Sequence, residues 1–132
     1  MGSASQVATY PILVIEDEPS VMSYIKIALE RHGFRVTSTE TGAEALELLK
    51  DGSFLGIISD MRTPGGVDGA GVHTWVAATR PELATRMIFI TGDTVNEETA
   101  ATFARTGVPF IEKPFRVSQL LEVIEKTMSR AT

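Results

Sequence analysis

The chain has 132 residues, no cysteine and a formal net charge of −5 at pH 7, a length that fits one domain with a substantial buried core. The acidic balance argues against a nucleic-acid backbone as ligand, which needs clustered Lys and Arg, and the lack of cysteine excludes disulfides, thiolate metal sites and a cysteine nucleophile. Every apolar run is strand-sized, far short of the roughly 20 residues of a membrane span, so no membrane contact is expected and a cytoplasmic setting fits.

Residues 1–8 lack the basic and apolar regions of a signal peptide. They read as a disordered leader or cloning scar, leaving 9–132 as the domain. Ile12 to Ile15 is short, apolar and β-branched, as a strand buried on both faces should be, and it delivers Glu16-Asp17-Glu18. Pro19 suits the first turn of a helix running to about Arg31, with Val21, Ile25, Ala28 and Leu29 on one face. His32-Gly33 stops it. Strand two is Phe34 to Thr39, and a helix from Ala43 to Lys50 turns Ala45, Leu48 and Leu49 inward before Asp51-Gly52 ends it. Strand three, Leu55 to Ser59, delivers the single acid Asp60. An irregular loop, Thr63-Pro64-Gly65-Gly66-Val67-Asp68-Gly69, then leads to a helix from about Ala70 to Thr79, halted by Arg80-Pro81. Strand four, Met87 to Ile90, delivers Thr91-Gly92, and a helix from about Asn96 to Arg105 follows. Strand five, Val108 to Ile111, leads to Glu112-Lys113-Pro114, and a helix from Val117 to Met128 closes the pattern.

Such alternation implies a parallel sheet covered by helices on both faces. The expected architecture is an α/β doubly wound five-stranded parallel sheet of order 2-1-3-4-5. Ligands of such sheets bind beyond the carboxyl ends of the strands, where strand order reverses, here between strands one and three. Glu16, Asp17 and Asp60 fall at that point. With neighbouring strands about 4.8 Å apart, these acids can share a hard cation. Mg²⁺ is the natural choice, because it accepts one or two carboxylates, keeps several waters and bridges to phosphate oxygens. A phosphoryl group on Asp60 would then meet the metal on one side and Lys113 on the other, while the Thr91 hydroxyl donates a hydrogen bond. Gly92 leaves the backbone open to close approach.

Taken together, these residues resemble a response-regulator receiver domain of two-component signalling over roughly Ile12 to Met128. The resemblance implies a flavodoxin-like (βα)5 fold with Asp60 as phosphoacceptor, Glu16 and Asp17 as the acidic pair, and Thr91 as the switch hydroxyl. It further implies Phe110 as the switch aromatic and Lys113 as the phosphate lysine, followed by a cis proline at Pro114. Mg²⁺ would be held by Glu16, Asp17, Asp60 and the backbone carbonyl of Arg62. The stretches Ile88 to Thr94 and Thr106 to Phe115 look most like receivers fused to hybrid sensor histidine kinases. Implied partners are a histidine kinase or histidine phosphotransfer domain, and a second copy of the chain in a phosphorylation-dependent dimer. The sequence departs from the family pattern at Thr63, where methionine is usual, and at Gly65-Gly66, which make the loop one residue longer.

Taken singly, the same residues have simpler readings. Acids at strand ends often only solvate loops, Lys113 alone is an ordinary surface lysine, Thr91 a helix N-cap and Phe110 a packing residue. His32 suits a helix C-terminus, His73 is expected to be exposed, and Trp75 reads as half-buried packing or a partner surface. Neither histidine is followed by an acid, as the phosphorylated histidine of a kinase commonly is. Gly66 to Gly71 lacks the spacing of a nucleotide loop, and Arg62 stands where a haloacid-dehalogenase-type phosphatase would carry a second aspartate. Arg62 and Asp93 are expected to flank the mouth of the site as a pair. The leading expectation is a domain that catalyses its own phosphorylation and dephosphorylation at Asp60 and contains no kinase motif. The alternative is a phosphorylation-independent, receiver-like binding module.

Overall fold

The computed structural model describes residues 10–92 and 97–128. The leader, Asp93 and Asn96 therefore lie outside the described residues. In chain order the elements are β1 (Ile12–Ile15), α1 (Pro19–Arg31), β2 (Val36–Thr39), α2 (Gly42–Asp51), β3 (Gly56–Asp60), α3 (Gly69–Thr79), α4 (Pro81–Ala84), β4 (Met87–Thr91), α5 (Glu97–Thr106), β5 (Phe110–Glu112) and α6 (Val117–Met128). The five strands form one parallel sheet of order β2-β1-β3-β4-β5, as the alternation predicts.

Side chains alternate across the pleat, and the strands supply two cores. Leu13, Ile15, Ile57, Met87 and Phe89 pack against Ala45 and Leu49 of α2, Val72 and Val76 of α3, and the half-buried Phe103 of α5. Ile12, Val14, Ile58, Ile88, Ile90 and Ile111 face Ile25 and Leu29 of α1 and Leu120, Ile124 and Met128 of α6. Because β1 and β3 are interior strands covered on both sides, they read as continuous apolar runs.

Several boundaries differ from expectation for identifiable reasons. β2 starts at Val36 because Phe34 closes α1: its N–H bonds Leu29 O at 3.0 Å, and Gly33, at φ +88°, bonds Glu30 O at 3.1 Å. These are the paired bonds of a Schellman motif. β5 starts at Phe110 because Pro109 has no N–H for the ladder. Leu48 is exposed rather than inward. Pro81, expected only to halt a helix, opens the short α4, while Arg80 donates to Leu49 O and Gly52 O at 3.0 and 2.6 Å and so satisfies the end of α2.

The strand ends carry the consequence for the site. β3 and β4 run one residue further than expected, so Asp60 and Thr91 are terminal strand residues, registered against Ile90 and Glu112. In the long loop after β3, the Thr63 hydroxyl donates to Val67 O at 2.7 Å and Asp68 caps α3 by accepting from Gly71 N at 2.9 Å. Gly69 is required there, since a Cβ would stand 2.8 Å from Asp60 O.

Candidate functional site

At the carboxyl end of β1, the chain leaves the sheet in extended conformation through Glu18, which has φ −85° and ψ 116°. Glu16 is buried: its Oε2 accepts from Glu18 N at 3.0 Å, while Oε1 has no hydrogen-bond partner among the described residues and faces Lys113 Nζ at 3.3 Å. Burial pushes the Glu16 carboxyl above the usual carboxylate range; the Asp60 charge adds to this, while the Glu18 N–H and Lys113 oppose it. Asp17 is exposed at the rim. Asp60 Oδ1 accepts from Arg62 N at 3.2 Å, which turns the chain sharply after the acid. Its Oδ2 lies 2.9 Å from Lys113 Nζ.

Glu16, Asp17 and Asp60 each offer an oxygen, and these lie within 4.8 Å of one another. Their all-oxygen character and the partnerless Glu16 Oε1 fit a hard divalent cation such as Mg²⁺. Asp17 and Asp60 line the cleft, about 350 Å³, with Glu18, Arg62, Thr91, Gly92 and Lys113, and the buried Glu16 lies beside these two acids. Thr91 is buried at the end of β4, and Lys113 N bonds Thr91 O at 2.7 Å, which fixes the lysine beside the cleft. The Lys113–Pro114 bond is cis.

Lys113 holds the site together electrostatically. Its ammonium reaches Glu18 Oε1 and Asp60 Oδ2 at 2.9 Å each and Glu16 Oε1 at 3.3 Å. Burial alone would lower its pKa. Hydrogen bonds to Glu18 and Asp60 and the charges of Asp60 and Glu16 outweigh that and raise it above the ordinary lysine value. Sequence reasoning gave Glu18 no role, although a signal existed: in an extended segment, residues two apart share a side.

Phe110 is 44% exposed and stacks face to face on Phe103, centroids 4.1 Å apart. Phe103, also unanticipated, continues to Phe89 at 5.9 Å, and Phe89 and His73 meet in a T-shaped arrangement at 6.3 Å. His73 is therefore half-buried between α3 and the sheet rather than exposed, and burial, with the Arg105 charge, lowers its pKa. Trp75 packs half-buried against the same core. His32 accepts its place at the end of α1, with Nδ1 2.9 Å from Ala28 O.

The family model described as response regulator receiver domain matches residues 12–125. The chain belongs to that family. Similar receivers include the response regulator receiver protein CpdR of Brucella abortus, 29% identical over 120 residues that make up 91% of this chain and 98% of that protein. The DNA-binding transcriptional regulator NtrC of Escherichia coli is 25% identical over 118 residues, 89% of this chain but 24% of NtrC. Among solved structures, the signal receiver domain of a signal transduction histidine kinase from Syntrophus aciditrophicus is 27% identical, with TM-score 0.81 over 92% of this chain and 91% of that one. The receiver domain of a Pseudomonas aeruginosa sensor histidine kinase, solved with magnesium in its active-site cleft, shares the fold at TM-score 0.79 and 23% identity, covering 92% of this chain and 98% of that one. In this receiver, no helix among the described residues is long and apolar enough to cross a membrane.

Proposed function

We propose that this receiver, spanning 9–132, accepts a phosphoryl group on Asp60 from the phosphohistidine of a histidine kinase or histidine phosphotransfer domain in the cytoplasm, and later loses it to water. The observation that carries the reading is Asp60 Oδ2 held 2.9 Å from Lys113 Nζ in a cleft, with oxygens of Glu16 and Asp17 within 4.8 Å of an Asp60 oxygen. An Asp60 oxygen attacks phosphorus while the N–P bond breaks, and the imidazole leaves with that electron pair. Lys113, already bonded to Asp60, stays beside the acyl phosphate and offsets its charge. The Thr91 hydroxyl, at the neighbouring strand end, donates to a phosphoryl oxygen. Bound between Glu16, Asp17, Asp60 and the Arg62 carbonyl, Mg²⁺ would offset the charge that spreads over the transferring oxygens. Magnesium in the Pseudomonas receiver supports that assignment.

Beside the cleft, an open groove of about 620 Å³ runs between α1 and the segment after β5, lined by Val21, Tyr24, Pro114 and Phe115 with Glu18 and Lys113 at its inner end. It gives a protein donor an apolar seat next to the acceptor. Readout passes through Phe110: Thr91 drawn to the phosphoryl group vacates space toward which the exposed ring can move, a two-state change of the kind a local charge can bias.

The test is acetyl phosphate with Mg²⁺, followed by intact mass. Gain of one phosphoryl mass is expected for the parent and none for Asp60→Asn, and chelator should suppress the gain. Labelling that survives in Asp60→Asn would refute the assignment, and a parent that never labels with any donor would favour a phosphorylation-independent binding module.

A further inference from the structure

Glu18 lies outside the metal-binding triad yet bonds the lysine that faces the acceptor. We propose that it sets donor selectivity by guarding the site against free dianionic phosphodonors. The inference rests on phosphoryl transfer to Asp60.

An ammonium has three N–H donors; on Lys113 two are given to Glu18 and Asp60 at 2.9 Å each, and the Glu16 carboxylate lies 3.3 Å away as a charge without a hydrogen bond to the ammonium. A free phosphodonor arriving at the mouth must compete for Lys113 with Glu18, the exposed one of its two hydrogen-bond acceptors. It also meets a negative charge: the Glu18 side chain is 58% exposed, and its carboxylate, unlike those of Glu16, Asp17 and Asp60, would not be offset by a cation bound to that triad. Glu18 and Lys113 line both the acceptor cleft and the apolar groove along α1. A donor protein seated in the groove covers Glu18 and brings its phosphoryl group in as part of a larger contact, whereas a small anion has only electrostatics to draw it in. Glu18 thus penalises the small donor selectively.

A unit charge about 6 Å from a dianion in a water-like medium changes the encounter by roughly tenfold, falling to about threefold at physiological ionic strength. Phosphorylation rates with acetyl phosphate at saturating Mg²⁺ should therefore rise about three- to tenfold in Glu18→Gln. The ratio to the parent should fall toward one as salt is added, and should be smaller with phosphoramidate, which carries less net negative charge. Glu18→Asp, which keeps the charge, should stay near the parent, and Glu18→Lys should exceed Glu18→Gln. Rates that are unchanged or slower in Glu18→Gln would overturn the proposal. So would a rise equal for both donors and indifferent to salt, because that describes a loosened Lys113 and no charge barrier. A parent that no donor labels would overturn the phosphoacceptor reading and this inference with it; a parent that labels alongside an indifferent Glu18→Gln would overturn the inference alone.

Discussion

Replacing Lys113 with methionine keeps an aliphatic stem and removes the ammonium shared by Glu16, Glu18 and Asp60. Removing one partner of a fully buried ion pair costs about 3–5 kcal/mol, because the other charge is left without compensation. The Glu16 and Asp60 side chains are 0% and 10% exposed, so they set the size of the loss. Glu18, 58% exposed, adds only about 0–1 kcal/mol. The Lys113 side chain keeps 20% exposure, and water at the ammonium brings the expected cost down to about 2–3 kcal/mol. For a domain of this size that is a melting temperature lower by roughly 6–15 °C. The ammonium also occupies Asp60 Oδ2 and faces Glu16 Oε1, on two of the three acids whose oxygens are close enough to share a cation. Its removal should therefore tighten Mg²⁺ binding, and saturating Mg²⁺ should stabilise Lys113→Met more than it stabilises the parent. Urea unfolding in chelator and in Mg²⁺ measures both. A metal-free loss below about 1 kcal/mol, or an equal Mg²⁺ increment in parent and variant, would refute the view of Lys113 as the site's internal counter-ion. The pH profile adds a check of sign. A lysine whose folded pKa is raised lends stability that is fully present below its ordinary value of 10.5 and is lost as pH climbs through the folded value; Lys113→Met should lack that alkaline loss.

The Glu16 carboxyl is raised by burial, so its contribution is most favourable below the ordinary value of 4.5 and is lost as pH rises through the folded value; Glu16→Gln should melt higher than the parent without metal at neutral pH and respond less to Mg²⁺, and a lower metal-free melting temperature would contradict this. His73 is lowered, so the unfolded chain takes the proton more readily and stability should fall as pH drops below about 6.5; thermal melts of His73→Gln should show a flatter acid limb, and parallel limbs would reject the account. Phe103→Ala removes the ring on which Phe110 stacks and should cost about 1–3 kcal/mol by urea unfolding, less than a fully buried phenylalanine. Beryllofluoride with Mg²⁺ should shift backbone amides through α5, β5 and α6, residues 97–126, whereas shifts confined to residues lining the cleft would reject the switch.

The strands were legible because a buried parallel strand has no polar face. Runs such as Ile12-Leu13-Val14-Ile15 and Met87-Ile88-Phe89-Ile90 are 0–1% exposed throughout, so the whole strand registers as apolar and its end is marked by the first acid or hydroxyl. Boundaries failed where hydrogen bonding and composition part company. Phe34 and Val108 are apolar and look like strand starts, but the first is spent closing α1 and the second precedes a proline. Leu48 failed for another reason: beside Leu49 on a ten-residue helix, only one of the two can point at the sheet, and the core took Leu49.

At the site, the chain's own register accounts for what could be read. Acids at the ends of adjacent parallel strands must come within a few ångströms of each other, and Glu16 and Asp60 do so because Ile15 pairs with Ser59. Lys113 needed one more step, since β5 is separated from β3 by β4, and only a long side chain spans that gap to reach Asp60 Oδ2. The contacts that were missed, Lys113 with Glu18 and Phe103 with Phe110, join segments 95 residues apart in one case and a helix to an edge strand in the other. Neither follows from strand register. Glu18 is placed by the extended turn out of β1, and Phe103 by how α5 lies on the sheet. A register argument therefore reaches Asp60 and the acids beside it, but the contacts of Glu18 and Phe103 depend on how the chain leaves β1 and how α5 lies on the sheet, which the periodicity of the sequence leaves open.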